Sequence, residues 1–295
     1  MTDTPFAKFL SACVMAWFVV TSPVKAEEED REGGLTGTGI VGEISALGSI
    51  IVNDQRITFD PDLAVTSVLA GNTASDLVPG DVVAVAVEPA EQDWRATEIR
   101  QMHALVGPVG MVSTGRLSVL GVDVAWQGPA PAVGDWVAIS GFWTPTGVTA
   151  TRIENIAPQA SVHLLGSYRE DPSGPTSMVG SLQLNLEPLR HANEGEVIEV
   201  IGTLDSGALR VTDVRRGLFD APVSFVLAEG YLTDVAPSGH YTVAGSGLSA
   251  YTDNLQSIMT TDRVRVCGAG GLLGARPEGA LVALMARLGC PEAAN

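Results

Sequence analysis

A recurring turn followed by a valine-rich strand constrains the fold of this 295-residue chain more than any other feature. The motif reads Pro79-Gly80-Asp81-Val82-Val83 in its first copy and Val133-Gly134-Asp135-Trp136-Val137 in its second. Glu194-Gly195-Glu196-Val197-Ile198 is a third copy, and Thr261-Asp262-Arg263-Val264 is a weaker fourth. Recurrence at intervals of roughly 54 to 66 residues indicates a chain built from repeated structural units.

Each copy of the turn lies between further strand-like segments. In the first copy, hairpin segments at 39–44, 49–52 and 56–59 precede the turn, and 95–99 follows it with alternating apolar and polar residues. A unit of about five short strands hides its edges best by closing into a barrel. We therefore predict an all-β fold of tandem five-stranded, OB-like barrels. Their predicted bounds are 37–105, 106–160, 161–221 and 222–291.

The fourth barrel contains an ambiguous segment at 279–288. Its Ala, Leu and Met content favours a helix, whereas its position in the repeat favours a strand. We predict a strand, because a hairpin with 264–268 would bring Cys267 opposite Cys290. An even pair of cysteines in an exported chain is typical of a disulfide. Residues 292–295 are predicted to be a short tail.

The first 26 residues resemble a secretory signal peptide. Lys8 precedes an apolar run at 9–20, and the small-residue segment 24–26 offers a cleavage site. The run is too short to span a bilayer, so we predict a periplasmic or secreted protein without a membrane span. Leu10-Ser11-Ala12-Cys13 also resembles a lipobox, which leaves a lipid anchor at Cys13 as an alternative. Residues 27–36 are predicted to form a solvated acidic spacer.

The charge of the exported chain excludes several function classes. Cleavage after Ala26 would leave 15 basic and 33 acidic residues, a net charge of about −18, with every basic residue an arginine. A chain without lysine cannot form a Schiff base or a lysine-dependent phosphate loop. Its negative charge also argues against binding to nucleic acid. An envelope protein or a glycan is the expected partner, and the charge favours a glycan or a peptide over a nucleic acid as the ligand.

The titratable residues do not form a recognisable catalytic or metal-binding motif. The four histidines are too far apart in sequence for zinc-ligand spacing; they are His103, His163, His191 and His240. The acidic pairs at 60–62 and 170–171 are interpreted as turn formers, with calcium binding as a weaker alternative. We therefore predict no catalytic residue, no metal site and no cofactor.

Three tryptophans cluster in the second predicted barrel. Trp126, Trp136 and Trp143 lie within 18 positions. An exposed aromatic strand face of a small barrel can bind sugars or bases, and this is the predicted ligand site. The alternative is that the rings fill a core otherwise made of Val and Ala. Strand alternation places Trp136 and Phe142 on one side and Trp143 on the other.

The first two repeats resemble the DUF5666 domains of bacterial exported proteins. The resemblance rests on the opening segment 39–44, the strand Ile57-Thr58-Phe59, and the segment 77–85 followed by 96–99. It implies a periplasmic or surface-exposed β protein and transfers no catalytic residue. The third and fourth repeats depart from the pattern.

These observations lead to one functional hypothesis and two alternatives. We expect an exported, non-catalytic multi-barrel protein that serves as a binding or structural module of the cell envelope. One alternative is a hydrolase of envelope polymers with an active site between barrels. The other is a protein that binds divalent cations through its acidic surface.

Overall fold

The computed structural model describes residues 37–170, 177–180, 182–185, 192–205, 208–252, 254–269 and 279–290. The predicted signal peptide 1–26, the spacer 27–36 and the tail 292–295 lie outside these ranges. The described part is all-β, as predicted, with two short helices and one 3-10 turn. Within it, none of the helices has the length and apolar character of a membrane span.

The first repeat forms a closed five-stranded barrel, called barrel 1. The ring order is β1-β2-β3-β6-β5, and it closes because β1 pairs with β2 as well as with β5. A short strand, β4, pairs with β6 outside the ring. The elements are β1 (Thr38–Ala46), β2 (Ile50–Val52), β3 (Gln55–Thr58), β4 (Val65–Thr66), a 3-10 turn (Ala74–Asp76), β5 (Val82–Ala90) and β6 (Asp93–Met102).

The second repeat, barrel 2, and the third repeat, barrel 3, close in the same order. Their first strands pair with each other, so ten strands form one continuous sheet. Barrel 2 contains β7 (Leu105–Ser113), β8 (Arg116–Val119), β9 (Val122–Ala125), β10 (Trp136–Thr144) and β11 (Gly147–Ile156). Barrel 3 contains β12 (Val162–Glu170), β13 (Ser177–Val179), β14 (Leu182–Asn185), β15 (Val197–Asp205) and β16 (Ala208–Arg216).

The fourth repeat differs from the prediction, since its described strands do not close into a ring. Strand β17 extends the sheet of barrel 1 by pairing in parallel with β1, and β21 pairs with β17. The intervening strands form a separate three-stranded meander. The elements are β17 (Phe225–Gly230), β18 (Leu232–Thr233), β19 (His240–Val243), β20 (Leu248–Tyr251), α1 (Leu255–Ile258), β21 (Val264–Ala269) and α2 (Ala280–Arg287).

The prediction that 279–288 forms a strand is wrong, because most of this segment is helix α2. Its apolar residues at 281, 284, 285 and 288 follow helical spacing and face the cluster inside barrel 1. Helix propensity and this apolar face therefore outweighed the register of the repeat. The predicted disulfide between Cys267 and Cys290 is present, but it joins β21 to α2 instead of linking two strands of a hairpin.

The recurring turn has the same geometry in all three barrels. Its glycine has a positive φ of 83–92° and donates its N–H to a carbonyl of the first strand of the same barrel. The acidic side chain that follows accepts the backbone N–H three residues earlier, and this bond holds the turn closed. The pairs are Asp81 with Val78 at 3.0 Å, Asp135 with Ala132 at 2.8 Å, and Glu196 with Asn193 at 3.0 Å.

The outer faces of the repeats meet in a shared apolar cluster. Its buried residues come from all four repeats: Val41, Val82, Ala84, Met102, Phe142, Leu165, Val197, Leu218, Val226 and Ala228. Phe142 faces this cluster, whereas Trp143 belongs to the interior cluster of barrels 2 and 3, as strand alternation predicted. The prediction that Trp136 lies on the same side as Phe142 is wrong, because Trp136 packs against the interior cluster that contains Trp143. The repeats therefore form one packed body instead of independent barrels on a string.

Buried polar contacts also join the barrels. Arg100 of barrel 1 is 2% exposed and donates to Glu199 of barrel 3 at 2.7 Å. Arg152 of barrel 2 donates at 2.8 Å to Asp81 of barrel 1, whose side chain is buried. Buried charges need specific partners, so these two pairs fix how the barrels sit on one another.

Candidate functional site

The three tryptophans predicted to bind ligand do not form one face. Trp126 follows β9, is half-buried and donates its indole N–H to the carbonyl of Pro129 at 2.9 Å. Trp136 and Trp143 lie at opposite ends of β10, about 23 Å apart at about 3.3 Å per residue. Trp136 is half-buried, and Trp143 is buried. Ligand binding by these residues stays a prediction. The two tryptophans of β10 are too far apart to form one aromatic platform.

Trp143 acts as a wedge between three repeats. Its indole N–H donates to the carbonyl of Leu165 in barrel 3 at 2.6 Å. Gly180 of barrel 3 and Gly245 of the fourth repeat face the ring so closely that a Cβ at either would overlap it. A Cβ at Gly166 would lie 3.0 Å from the indole nitrogen, which is a tight contact. The absence of a side chain at these three positions makes room for the indole. The tryptophan therefore aligns barrel 2 with barrel 3 and with the meander.

A cleft of about 460 Å³ opens beside this wedge. Three repeats line it, so it is a concave surface that gathers polar groups from different barrels. Barrel 2 contributes Trp143, Thr144 and Pro145. Barrel 3 and its loops contribute Ser167, Arg169, Gly180, Glu194 and Gly195, and the meander contributes Thr233, Asp234, Thr242, Ala244, Gly245 and Ser249.

Some polar groups of the cleft have hydrogen-bond partners within the protein, and one has none among the described residues. Arg169 donates to Asp234 at 2.7 Å across the cleft, and Glu194 accepts the backbone N–H of Glu170 at 3.0 Å. The Oγ of Ser167 is buried and has no hydrogen-bond partner among the described residues. Asp234 also has a positive φ of 52°, a conformation that aspartate tolerates and that often occurs at binding sites. The cleft thus offers hydroxyl groups, one ion pair and the edge of an indole.

Two histidines, His103 and His163, lie at the junction of the barrels. His103 is 3% exposed, and neither of its ring nitrogens has a hydrogen-bond partner among the described residues. Burial is the main cause that lowers its pKa to about 4, with further contributions from Arg152 and His163. Burial also lowers the pKa of His163, and Glu199 opposes that shift. His103 is therefore neutral in the folded protein at physiological pH.

The buried His103 is expected to make the protein less stable as the pH falls from about 6.5 to about 4. In this range the unfolded chain binds a proton at His103 and the folded chain does not, so protonation favours unfolding. The full effect is about 3 kcal/mol for one such histidine. Urea unfolding at several pH values should show this slope in the parent chain and a shallower slope in His103→Leu. Parallel pH curves for the two proteins would contradict the assignment.

The described ranges hold no group of three or more His, Cys, Asp or Glu side chains arranged to bind a metal ion. His191 lies outside those ranges. His240 is exposed and lies 5.2 Å from Tyr251, measured between the ring centres.

Comparison with known families gives the first two barrels a name. A family model described as "Domain of unknown function (DUF5666)" matches residues 38–100 and 106–154. The chain carries tandem DUF5666 domains. No curated protein and no solved structure matches the chain significantly. Barrel 3 has the same strand order as the two DUF5666 domains, although the family model does not extend to it.

Sequence reasoning did not identify the cleft residues that belong to barrel 3 and to the meander. Ser167 and Arg169 occupy ordinary strand positions in β12, and Asp234 follows a two-residue strand in the divergent fourth repeat. They meet only because Trp143 aligns barrel 2, barrel 3 and the meander. The three glycines that accommodate the indole were a possible signal, but glycine is frequent in this chain and serves many turns.

Proposed function

We propose that this chain is an exported, non-catalytic multi-barrel binding module of the bacterial cell envelope, located in the periplasm or secreted. The signal-peptide-like segment 1–26 supports export. The disulfide between Cys267 and Cys290 is compatible with an oxidising compartment. The rigid packing of the repeats supports a role in presenting a fixed surface.

The observation that carries the proposal is the cleft lined by barrel 2, barrel 3 and the meander. Pockets for small ligands combine an apolar wall with a few polar groups that converge on it. Here the edge of Trp143 supplies the apolar wall, and hydroxyl groups with the Arg169–Asp234 pair supply the polar groups. This combination suits a hydroxylated ligand such as a glycan, or a short peptide.

The carboxylates of the cleft accept hydrogen bonds from the protein itself, which favours binding over catalysis. Glu194 accepts a backbone N–H and Asp234 accepts a charged bond from Arg169, so both carboxylates of the cleft already serve the structure. The recurring acids at 81, 135 and 196 hold turns closed. These roles support a non-catalytic module instead of the alternative of an envelope-polymer hydrolase.

Isothermal titration calorimetry with cell-wall oligosaccharides and short neutral peptides tests the proposal. We expect one saturable site for one of these ligand classes, with affinity reduced at least about tenfold, or about 1.4 kcal/mol, in Arg169→Ala. Arg210→Ala is the matched control, because Arg210 also forms an exposed ion pair in barrel 3, with Asp205 at 3.1 Å, and is not among the residues that line the cleft.

Three outcomes would contradict the proposal. Equal losses in both variants would remove the cleft as the site. Shortening of the oligosaccharides during titration would support the hydrolase alternative. Heat on titration with Ca²⁺, without heat from any glycan or peptide, would support the cation-binding alternative.

A further inference from the structure

Helix α2 covers the apolar interior of barrel 1. Leu284 and Leu288 are 8% and 2% exposed and belong to the same buried cluster as Ile57 and Trp94 of the barrel. The opposite side of the helix faces solvent, with Val282 49% exposed. An amphipathic helix of this kind is bound by its apolar face, so α2 functions as a plug on the barrel.

Polar contacts seat the plug on the hairpin between β5 and β6. The guanidinium of Arg287 donates to the carbonyls of Ala90, Glu91 and Asp93 at 3.3, 3.1 and 2.5 Å. It also lies 4.8 Å from the centre of the Trp94 ring, within the range of a cation–π interaction.

Gln55 connects the same tryptophan to the end of the helix. Its side-chain oxygen accepts the indole N–H of Trp94 at 2.9 Å, and its side-chain nitrogen donates to the carbonyl of Leu288 at 3.2 Å. Trp94, Gln55 and α2 therefore form one continuous set of contacts. The register of the barrels places Val148 and Leu209 where Trp94 stands in barrel 1, so the indole is specific to the barrel that carries the plug.

A covalent bond holds this plug in addition to its packing. Cys267 lies in β21, which is fixed to the barrel sheet through β17, and Cys290 lies three residues after the end of α2. The helix has only eight residues, and its N-cap, Gly279, provides no side-chain hydrogen bond. A helix so short is marginal without external contacts. The helix therefore stays bound to barrel 1 through its apolar face, Arg287 and the disulfide together.

We propose that α2 is a redox-latched plug, which a dithiol reductant releases from barrel 1. One reductant thiolate attacks a sulfur of the Cys267–Cys290 bond and forms a mixed disulfide, and its second thiol then displaces the remaining cysteine. The products are two cysteine thiols on the protein and a cyclic disulfide on the reductant. Release of α2 exposes Trp94 and the apolar residues around it. This device is independent of the cleft and of the function proposed for it.

Hydrogen exchange of the purified chain, read by mass spectrometry under native conditions, tests the latch. In the oxidised protein the amides of Leu288, Gly289 and Cys290 donate to carbonyls of the helix. We expect dithiothreitol to raise exchange in 280–290 at least about tenfold, with exchange in barrel 3 unchanged. The double variant Cys267→Ser/Cys290→Ser should exchange rapidly there without reductant and show no response to it.

Two variants separate the contribution of the disulfide from that of the Arg287 contacts. In the oxidised chain, Arg287→Ala should raise exchange in α2, because the helix then loses its contacts with the β5–β6 hairpin. Arg265→Ala is the matched control, since Arg265 forms an exposed pair with Asp54 beside the disulfide and does not bond to α2. Unchanged exchange of α2 after reduction would overturn the proposal. Exchange that rises equally in all barrels would also overturn it, because the disulfide would then stabilise the whole fold.

Discussion

Arg100→Ala is expected to lower the free energy of unfolding by about 3–5 kcal/mol. Arg100 is almost fully buried, and its guanidinium donates to Glu199 and to the carbonyl of Gly217, both at 2.7 Å. Burial lowers the pKa of Arg100, and the Glu199 carboxylate opposes this shift. Removal of the guanidinium leaves Glu199, which is 12% exposed, with its charge uncompensated between barrels 1 and 3.

Urea unfolding at pH 7 measures this loss against two controls. Arg210→Ala removes an exposed pair with Asp205 and should cost less than about 1 kcal/mol. Arg100→Met combined with Glu199→Leu should cost less than Arg100→Ala alone, because no charge then stays buried without a partner. A loss in Arg100→Ala as small as that in Arg210→Ala would show that the buried pair does not join the barrels energetically.

The strands and turns of the three barrels could be predicted because their signals are local. Alternation along β6, β11 and β16 and the glycine–acid turn each depend on a few neighbouring residues. A closed ring follows from these elements once five short strands must hide their edges. The disulfide was predicted for a similar reason, since the exported chain retains only two cysteines.

The contacts between repeats could not be predicted from local patterns. The partners Arg100 and Glu199 are 99 residues apart, and the same charged types occur at many solvated positions. Helix α2 shows a related limit: its composition favoured the helix, but only the apolar interior of barrel 1 gives that helix a surface to cover. The cleft depends on both kinds of contact, so its residues carried no signal before the repeats were assembled.

Trp143→Ala is expected to cost about 3–5 kcal/mol, the range for a large buried aromatic residue. The indole is 7% exposed and joins barrel 2 to barrel 3 through its bond to Leu165. Its loss should also widen the cleft, since the ring forms part of the wall. Thermal and urea unfolding measure the cost, and Trp126→Ala, which removes a half-buried indole bonded within its own loop, should cost less.

Glycine substitutions show whether Trp143 acts as the wedge between repeats. Gly245→Ala places a Cβ against the indole at a φ of 70°, whereas Gly134→Ala meets open space at a φ of 92°. Both substitutions carry left-handed backbone strain of about 1–2 kcal/mol, but only Gly245→Ala adds the steric overlap. In the Trp143→Ala background the contacts with the ring are removed and only the contact with the Cβ of residue 143, at 2.9 Å, remains. The cost of Gly245→Ala should therefore fall towards that of Gly134→Ala. If the cost of the double variant Trp143→Ala/Gly245→Ala equalled the sum of the costs of the two single variants, the indole would not be the group that holds the meander against barrel 2.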